Sequence, residues 1–249
     1  MSEHKFPTEV IDLPSEGKVY SKESPLSSGQ LELKYMTTRE EDILMSENLI
    51  KKGVVIDKLL DSLIVTKGVK QDDLILGDKN AVLDASRILA YGPEYTAEVT
   101  NPNDLDQKVQ HTFDLSKCPF KELSKDVDYS DNSFDFTTPV GKNKLKFKLL
   151  TGADEKLIEK DLKQSSKFGY STEISTRLRY TVIEVDGDPK PDTISQFTQN
   201  LLARDSVALR NYIRDISPDI DLTSEVEIGG EAVNVSIPLT VEFFWPQSI

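Results

Sequence analysis

Histidine and cysteine, which often serve as catalytic bases and nucleophiles, are few in this sequence. The two histidines, His4 and His111, lie far apart, and Cys118 is the one cysteine. His111 alternates with Val109 and Phe113 as in a strand, and a lone strand histidine is more often a surface or edge residue than a catalytic base. Cys118 precedes a proline in a predicted loop, and nothing in the sequence would orient an imidazole toward its thiol. The sequence therefore predicts no catalytic residue and a protein that is not an enzyme.

Phosphate-binding and metal-binding motifs are incomplete. The pair Gly141-Lys142 is followed by asparagine where a phosphate-binding loop needs Ser or Thr. The acidic run from Asp126 begins like a calcium loop, but Asp131 replaces the required glycine and Thr137 replaces the bidentate glutamate. A single cysteine cannot supply the paired thiolates of a zinc site. We therefore expect no metal and no cofactor, and a solvated loop at the acidic run.

Arginine is concentrated in the last predicted helical block. Ion pairs along the helix faces, with neighbours such as Asp205 and Asp215, are the favoured interpretation. A docking surface is the alternative, because arginine is enriched at protein interfaces. The residues concerned are Arg177, Arg179, Arg204, Arg210 and Arg214.

The charge of the chain limits its partners. Its 249 residues include 43 acidic and 30 basic side chains, a formal net charge of −13. Such a charge disfavours binding to nucleic acid and to anionic membrane surfaces. The richest apolar stretch, Val54–Val65, is interrupted by charged residues, which predicts that nothing spans a bilayer. With one cysteine and a polar N-terminus, the chain is expected to be soluble and cytosolic.

The pattern of apolar residues and turn signals along the chain predicts an α+β fold. It has helical bundle-like regions, a small antiparallel sheet in the middle and a C-terminal β-hairpin and strand. Residues 1–35 are predicted to be an extended N-terminal arm and strand, punctuated by proline. The arm's apolar groups are expected to lie across the helical body rather than across a partner. They are Phe6, Val10, Ile11, Leu13, Val19 and Tyr20.

Residues 36–93 are predicted to be helical. Thr38 and Glu41 have capping-box spacing and would open a helix that runs to about Lys51. A second helix has an apolar face formed by residues at helical spacing between 56 and 64. Asp78 is predicted to cap a third helix, which ends before Gly92-Pro93.

The second half of the chain is predicted to be β, then α, then β. Residues 94–150 contain four short alternating runs, which predict one small antiparallel sheet. Residues 151–249 contain three apolar stripes at helical spacing, the first running from Ile174 to Val185, and then a hairpin on Gly229-Gly230. A final strand is predicted from Thr240 to Trp245.

Aromatic residues near both ends are the candidate partner contacts. In a terminal strand, Phe243 and Trp245 would share the core-facing side, and Phe244 would point the other way as the likeliest exposed contact. The alternative is that Trp245 itself stays partly exposed as an anchor, because such aromatics dominate interface energetics. The candidate contacts are Phe6, Tyr20, Phe244 and Trp245.

Two segments resemble a known family. The first extends through residues 6–20, 24–29, 34–37, 40–44 and 52–60, and the second is Ile237–Pro246. Together with the order of arm, helices, middle sheet and terminus, they resemble the baseplate hub family of T-even-type bacteriophages along nearly the whole chain. Some relatives carry a cysteine pair in the middle sheet. Here residues 101–104 read Asn-Pro-Asn-Asp, so zinc is not expected.

The resemblance implies a role in building the central hub of a contractile-tail baseplate. The length favours a non-enzymatic hub assembly factor, chaperone-like, that binds other phage hub proteins transiently in the host cell cytoplasm. The alternative is a structural hub subunit that is retained in the virion baseplate. The resemblance supplies no catalytic residue, and it leaves the client protein and the oligomeric state open.

Overall fold

The structure is a computed structural model that describes residues 6–165, 172–239 and 241–245. Within these residues, eight α-helices and four small antiparallel sheets alternate along the chain, which confirms the predicted α+β class. His4 and Thr240, named in the sequence analysis, lie outside the described residues.

The N-terminal arm forms a hairpin rather than a single extended segment. Strand β1 (Thr8–Asp12) pairs antiparallel with β2 (Gln30–Lys34), and a 3-10 turn over Pro25–Ser28 leads back into β2. Leu13, which was expected to lie on the body of the protein, is buried in the core beneath the hairpin, together with Leu26. Burying these groups stabilises a segment too short to form a core of its own.

Four helices follow in residues 36–93: α1 (Thr38–Leu44), α2 (Glu47–Lys52), α3 (Val55–Leu63) and α4 (Leu76–Tyr91). The prediction of one helix reaching Lys51 was wrong, because the chain turns between α1 and α2. The capping box is also shifted by one residue: Glu40 accepts hydrogen bonds from the backbone N–H and the hydroxyl of Thr37, at 2.9 and 2.6 Å. The helix predicted near residues 56–64 is confirmed as α3.

The predicted single middle sheet was wrong, because its strands belong to two sheets. Strands β3 (Glu94–Asn101) and β4 (Asp104–Asp114) form a hairpin of their own. Strands β5 (Phe134–Thr137) and β6 (Lys144–Phe147) form a three-stranded sheet with β7 (Val182–Val185), in the order β5-β6-β7. Helical spacing had placed β7 on the stripe of the preceding helix, but that helix stops at Thr181.

The last third contains α5 (Gly152–Ser165), α6 (Glu173–Thr181), α7 (Pro191–Asn200) and α8 (Ala203–Ile216). The hairpin of β8 (Thr223–Ile228) and β9 (Glu231–Ser236) turns on Gly229-Gly230, as predicted. Both glycines have positive φ, 64° and 88°, which other residues adopt at a cost. The predicted final strand was wrong: Val241–Phe244 is a 3-10 turn.

Two hydrophobic cores underlie these elements. The first joins the N-terminal hairpin, α1, α3, α4 and the β3–β4 and β8–β9 hairpins to the terminal turn. The second lies between the three-stranded sheet and helices α6, α7 and α8. The terminal turn therefore packs with the N-terminal hairpin, and the cores do not follow the linear order of the predicted regions.

Candidate partner-binding surface

The C-terminal turn is held by one buried arginine on α4. The Arg87 guanidinium donates hydrogen bonds to three backbone carbonyls, those of Phe243 (3.0 Å), Gly92 (3.2 Å) and Glu94 (3.3 Å). It also lies 5.8 Å from the centre of the Tyr95 ring. Carbonyl oxygens thus accept hydrogen bonds from the buried guanidinium group in place of a carboxylate. The turn is thereby fixed against the end of α4.

This turn reverses the expected roles of its aromatic residues. Phe244 is 1% exposed and packs edge-to-face against the fully buried Phe243, with ring centres 5.3 Å apart. Trp245 is 42% exposed. The predictions of an exposed Phe244 and a core Trp245 were wrong, because a 3-10 turn places three residues per turn instead of alternating them. Trp245 is therefore the aromatic residue of this turn that is open to a partner.

Tyr20 is committed to an internal contact. Its hydroxyl donates to Oδ2 of Asp78 (2.6 Å) and accepts a hydrogen bond from the backbone N–H of Ile75 (3.1 Å). Ser15 donates to the same carboxylate from its backbone N–H (2.9 Å) and its hydroxyl (2.7 Å). The polar end of Tyr20 therefore ties the arm to α4, and only part of the residue is exposed.

The same contact explains the placement of Asp78. It was predicted to cap α4, but the helix begins at Leu76, and Asp78 lies inside its first turn with no exposed surface. Burial raises the pKa of Asp78, while the hydrogen bonds from Tyr20 and Ser15 oppose the increase. Burial together with the charge of Asp78 raises the pKa of Tyr20. The carboxylate of Asp78 therefore attaches the arm to α4, and the prediction that it caps the helix was wrong.

Phe6 remains an exposed candidate contact just before β1. It is 48% exposed, and the Lys34 ammonium lies 5.3 Å from the centre of its ring. Lys34 also pairs with the buried carboxylate of Glu40 at 2.8 Å. Burial raises the pKa of Glu40, but hydrogen bonds from Lys34, Ser62 and Thr37 outweigh it and lower that pKa to about 2. Phe6 thus lies beside an ion pair that belongs to the fold.

Val10, on β1, is an exposed residue that the sequence analysis placed on the helical body. It is 56% exposed, while its neighbour Ile11 is partly buried against the first core. Strand alternation from Ile11 and Leu13 would have separated the two faces and identified Val10 as outward-facing. The arm therefore presents Phe6 and Val10 to solvent, and Trp245 is exposed at the terminal turn.

A buried acid without a partner lies in the middle of α4. Asp84 is 4% exposed, and its Oδ1 has no hydrogen-bond partner among the described residues. Burial raises the pKa of Asp84 to about 7. Burying a carboxyl without a hydrogen bond is costly, and the cost grows when the group is ionised.

Cys118 and His111 do not show the features of an activated pair. Burial raises the pKa of the Cys118 thiol to about 11, and the carboxylates of Asp84, Asp221 and Asp114 add to the increase. An activated nucleophilic thiol requires a lowered pKa. The His111 ring packs edge-to-face on Phe113, with centres 4.8 Å apart.

Three of the C-terminal arginines, Arg177, Arg179 and Arg214, make ion pairs, and two of them reach across to α5. Arg177 bonds Glu155 (2.6 Å) and Glu173 (3.3 Å), and Arg179 bonds Asp161 (2.5 Å). Arg214 pairs with its neighbour Asp215, as the favoured interpretation expected. Asp205 was wrongly assigned to this role. Its buried carboxylate accepts hydrogen bonds from the backbone N–H groups of Val140 and Gly141, at 2.8 and 2.9 Å.

An open groove lies between the two cores. It has a volume of about 830 Å³ and is lined by the start of α4, residues 119–121 and residues 217–223. Phe120 and Ile220 form an isolated antiparallel bridge across it. Its lining mixes apolar side chains with Lys121, Lys148 and Arg214, and no cluster of catalytic groups converges on it.

The described residues contain no cluster of three or more His, Cys, Asp or Glu side chains able to hold a metal ion. Within the acidic run, Asp128 accepts a hydrogen bond from the backbone N–H of Ser130 (2.9 Å), which is a local turn contact. None of the helices in the described part of the chain is long and apolar enough to cross a membrane.

Comparison of the chain with protein-family models, with curated proteins and with solved structures gave no match.

Proposed function

We propose that this chain is a non-enzymatic assembly factor for the central hub of a contractile-tail bacteriophage baseplate. It binds other hub proteins transiently in the host cytoplasm. The proposal rests on the resemblance carried by the arm, helices and terminus. One structural observation supports treating these segments as a unit: the arm and the C-terminal turn lie in the same hydrophobic core.

The exposed aromatic residues support protein binding as the mode of action. Trp245 is held at the surface by a turn whose two phenylalanines are buried and whose backbone is bonded to Arg87. A rigidly placed tryptophan loses little conformational entropy on binding and is a common interface anchor. Trp245 is therefore the first residue to test, with Phe6 as the second.

The test is capture of hub proteins from phage-infected cells by the tagged chain, followed by mass spectrometry. Trp245→Ala should weaken capture about thirtyfold, the size expected when an interface anchor worth about 2 kcal/mol is removed. Leu157→Ala is the matched control, because Leu157 is 47% exposed on α5, away from the arm and the turn. Both variants should melt like the wild type.

Two results would contradict the proposal. Capture of hub proteins that is equal for Trp245→Ala and wild type would remove the tryptophan as an anchor. Recovery of the chain in stoichiometric amounts from purified phage particles would instead identify a structural hub subunit of the virion baseplate.

A further inference from the structure

Strand β1 is the outer strand of the N-terminal hairpin. Two hydrogen bonds, one at each end, show which of its residues bond to β2. The backbone N–H of Tyr35 donates to the carbonyl of Pro7 (3.1 Å), and the backbone N–H of Leu13 donates to the carbonyl of Gly29 (2.8 Å). In an antiparallel pair, residues alternate between hydrogen-bonded and non-hydrogen-bonded positions. The odd-numbered residues of β1 therefore direct their backbone groups toward β2.

The even-numbered residues of β1 direct their backbone groups away from the hairpin. These are Thr8, Val10 and Asp12, which lie opposite Lys34, Glu32 and Gln30 in the register. Within the described residues, β2 is the only strand paired with β1. Three N–H and three C=O groups thus form an open edge, the arrangement that accepts an added strand.

An exposed apolar side chain distinguishes this edge from the others. Among the strand residues whose exposure the structure describes, Val10 is the one large hydrophobic residue that is highly exposed. Proteins usually protect open edges with charged or polar groups, and an exposed apolar residue at the centre of an edge favours pairing. Phe6, two residues before β1, extends the apolar surface at one end.

The charge around the edge defines its partner. The carboxylates of Glu9, Asp12 and Glu32 form no ion pair within the described part of the chain. The nearby Lys34 is neutralised by Glu40. A chain with a net charge of −13 repels its own copies, so a second copy is electrostatically disfavoured. A segment with lysine or arginine side chains is complementary to this surface.

We propose that the β1 edge binds an extended, basic segment of a partner protein as a third, antiparallel strand. The segment places an apolar residue opposite Val10 and a lysine or arginine opposite each of Asp12 and Glu9. The backbone groups of Thr8, Val10 and Asp12 supply the affinity, and the alternating side chains supply the specificity. This inference refines the protein-binding role proposed above by naming the chemistry of the partner.

The test uses a synthetic peptide and amide hydrogen exchange measured by NMR on the full chain. The peptide is acetyl-Thr-Lys-Thr-Val-Lys-Thr-amide, which presents its valine to Val10 in the antiparallel register. At a peptide concentration ten times its Kd, exchange of the amides of Thr8, Val10 and Asp12 should slow about tenfold. The amides of Glu9 and Ile11, which already face β2, should change little.

The matched control is the same peptide with an N-methyl group on valine, which removes one ladder donor and keeps the charge and the side chains. The methylated peptide should bind the wild-type protein at least tenfold more weakly. The unmodified peptide should bind the Val10→Pro variant of the protein equally weakly, because the proline removes the outward N–H at the centre of the edge. Ile174→Thr controls for loss of a similarly exposed apolar side chain.

Three results would overturn the proposal. The first is equal binding of both peptides, which would show charge attraction alone. The second is no slowing of exchange at the three amides. The third is amide protection that rises with protein concentration in the absence of peptide, which would show a second copy at the edge. Hub capture is measured separately from infected cells. A failed peptide experiment with intact capture rejects the edge alone, and lost capture with intact peptide binding rejects the hub role alone.

Discussion

Replacing Asp84 by asparagine should make the protein more stable at neutral and alkaline pH. The folded chain buries this carboxyl on α4 at 4% exposure, and Oδ1 has no partner within the described residues. Asparagine has nearly the same shape and cannot ionise. The substitution therefore removes the free-energy cost of burying a charge and retains the packing of the helix.

The size of the effect follows from the pKa of Asp84, which burial raises from 3.8 to about 7. The folded state holds the proton of Asp84 more tightly than the unfolded chain does. The free energy of unfolding of the wild type therefore falls as pH rises between those two values and is constant above them. Between pH 5 and pH 8 this loss amounts to about 2.5 kcal/mol, taken as an upper bound. The asparagine variant does not undergo it.

Urea unfolding followed by circular dichroism at several pH values measures the difference. The stability of the variant relative to the wild type should increase by up to about 2.5 kcal/mol from pH 5 to pH 8. Asp135→Asn is the control, because Asp135 is exposed on β5 and remains in water in both states. A stability difference that is the same at every pH would refute the reasoning, since it would mean that Asp84 is not buried as a titrating group.

Four substitutions test the contacts that place the arm and the turn. Tyr20→Phe should lower the free energy of unfolding by about 1–3 kcal/mol, because Asp78 loses a hydrogen-bond donor, and urea unfolding should show this without loss of hub capture. Arg87→Leu should cost about 3 kcal/mol and expose the C-terminal turn to carboxypeptidase, since the buried carbonyl of Phe243 and two partly buried carbonyls lose their donor. Phe244→Ala should cost about 3–5 kcal/mol in urea unfolding, as large core truncations do, whereas Trp245→Ala should cost less than about 1 kcal/mol. Equal costs for the last two would contradict the assignment of one to the core and the other to the surface.

Local signals in the sequence were sufficient where one stretch of chain determines its own conformation. The Gly229-Gly230 turn needs positive φ at two successive residues, and glycine at both positions predicted the hairpin. Helix α3 was equally clear because its apolar residues recur at i, i+3, i+4 and i+7, and the structure buries Leu59, Leu60 and Leu63.

Local signals failed where a short segment fits both the helical and the strand spacing of apolar residues. Val182 and Val185 continue the stripe of Leu178 at helical spacing, but three or four residues are too few to distinguish a helix from a strand. The chain leaves the helix at Thr181, whose carbonyl accepts a hydrogen bond from the N–H of Lys148 (2.9 Å). Tertiary pairing with β6 decided the conformation, and that pairing is not visible in the sequence of the segment itself.

The site residues depended still more on long-range contacts. Asp78 has a residue type that suits a helix cap, yet its carboxylate binds Ser15, 63 positions earlier in the chain. The terminal aromatics suited a strand, yet a hydrogen bond from Arg87 to Phe243, 156 positions away, accompanies a 3-10 turn that sends Trp245 outward. Which aromatic residue is exposed therefore depends on partners that sequence spacing cannot identify.

Helix α4 links these contacts, and this accounts for the unpaired acid in its middle. Arg87 lies three residues after Asp84, a spacing at which an ion pair could form along the helix. The guanidinium instead donates to three carbonyls near the end of the helix and in the terminal turn. An ion pair with Asp84 would turn the arginine away from those carbonyls and release the turn that presents Trp245. The unsatisfied carboxyl is thus the stability cost of fixing the chain end on the helix that also holds the arm through Asp78.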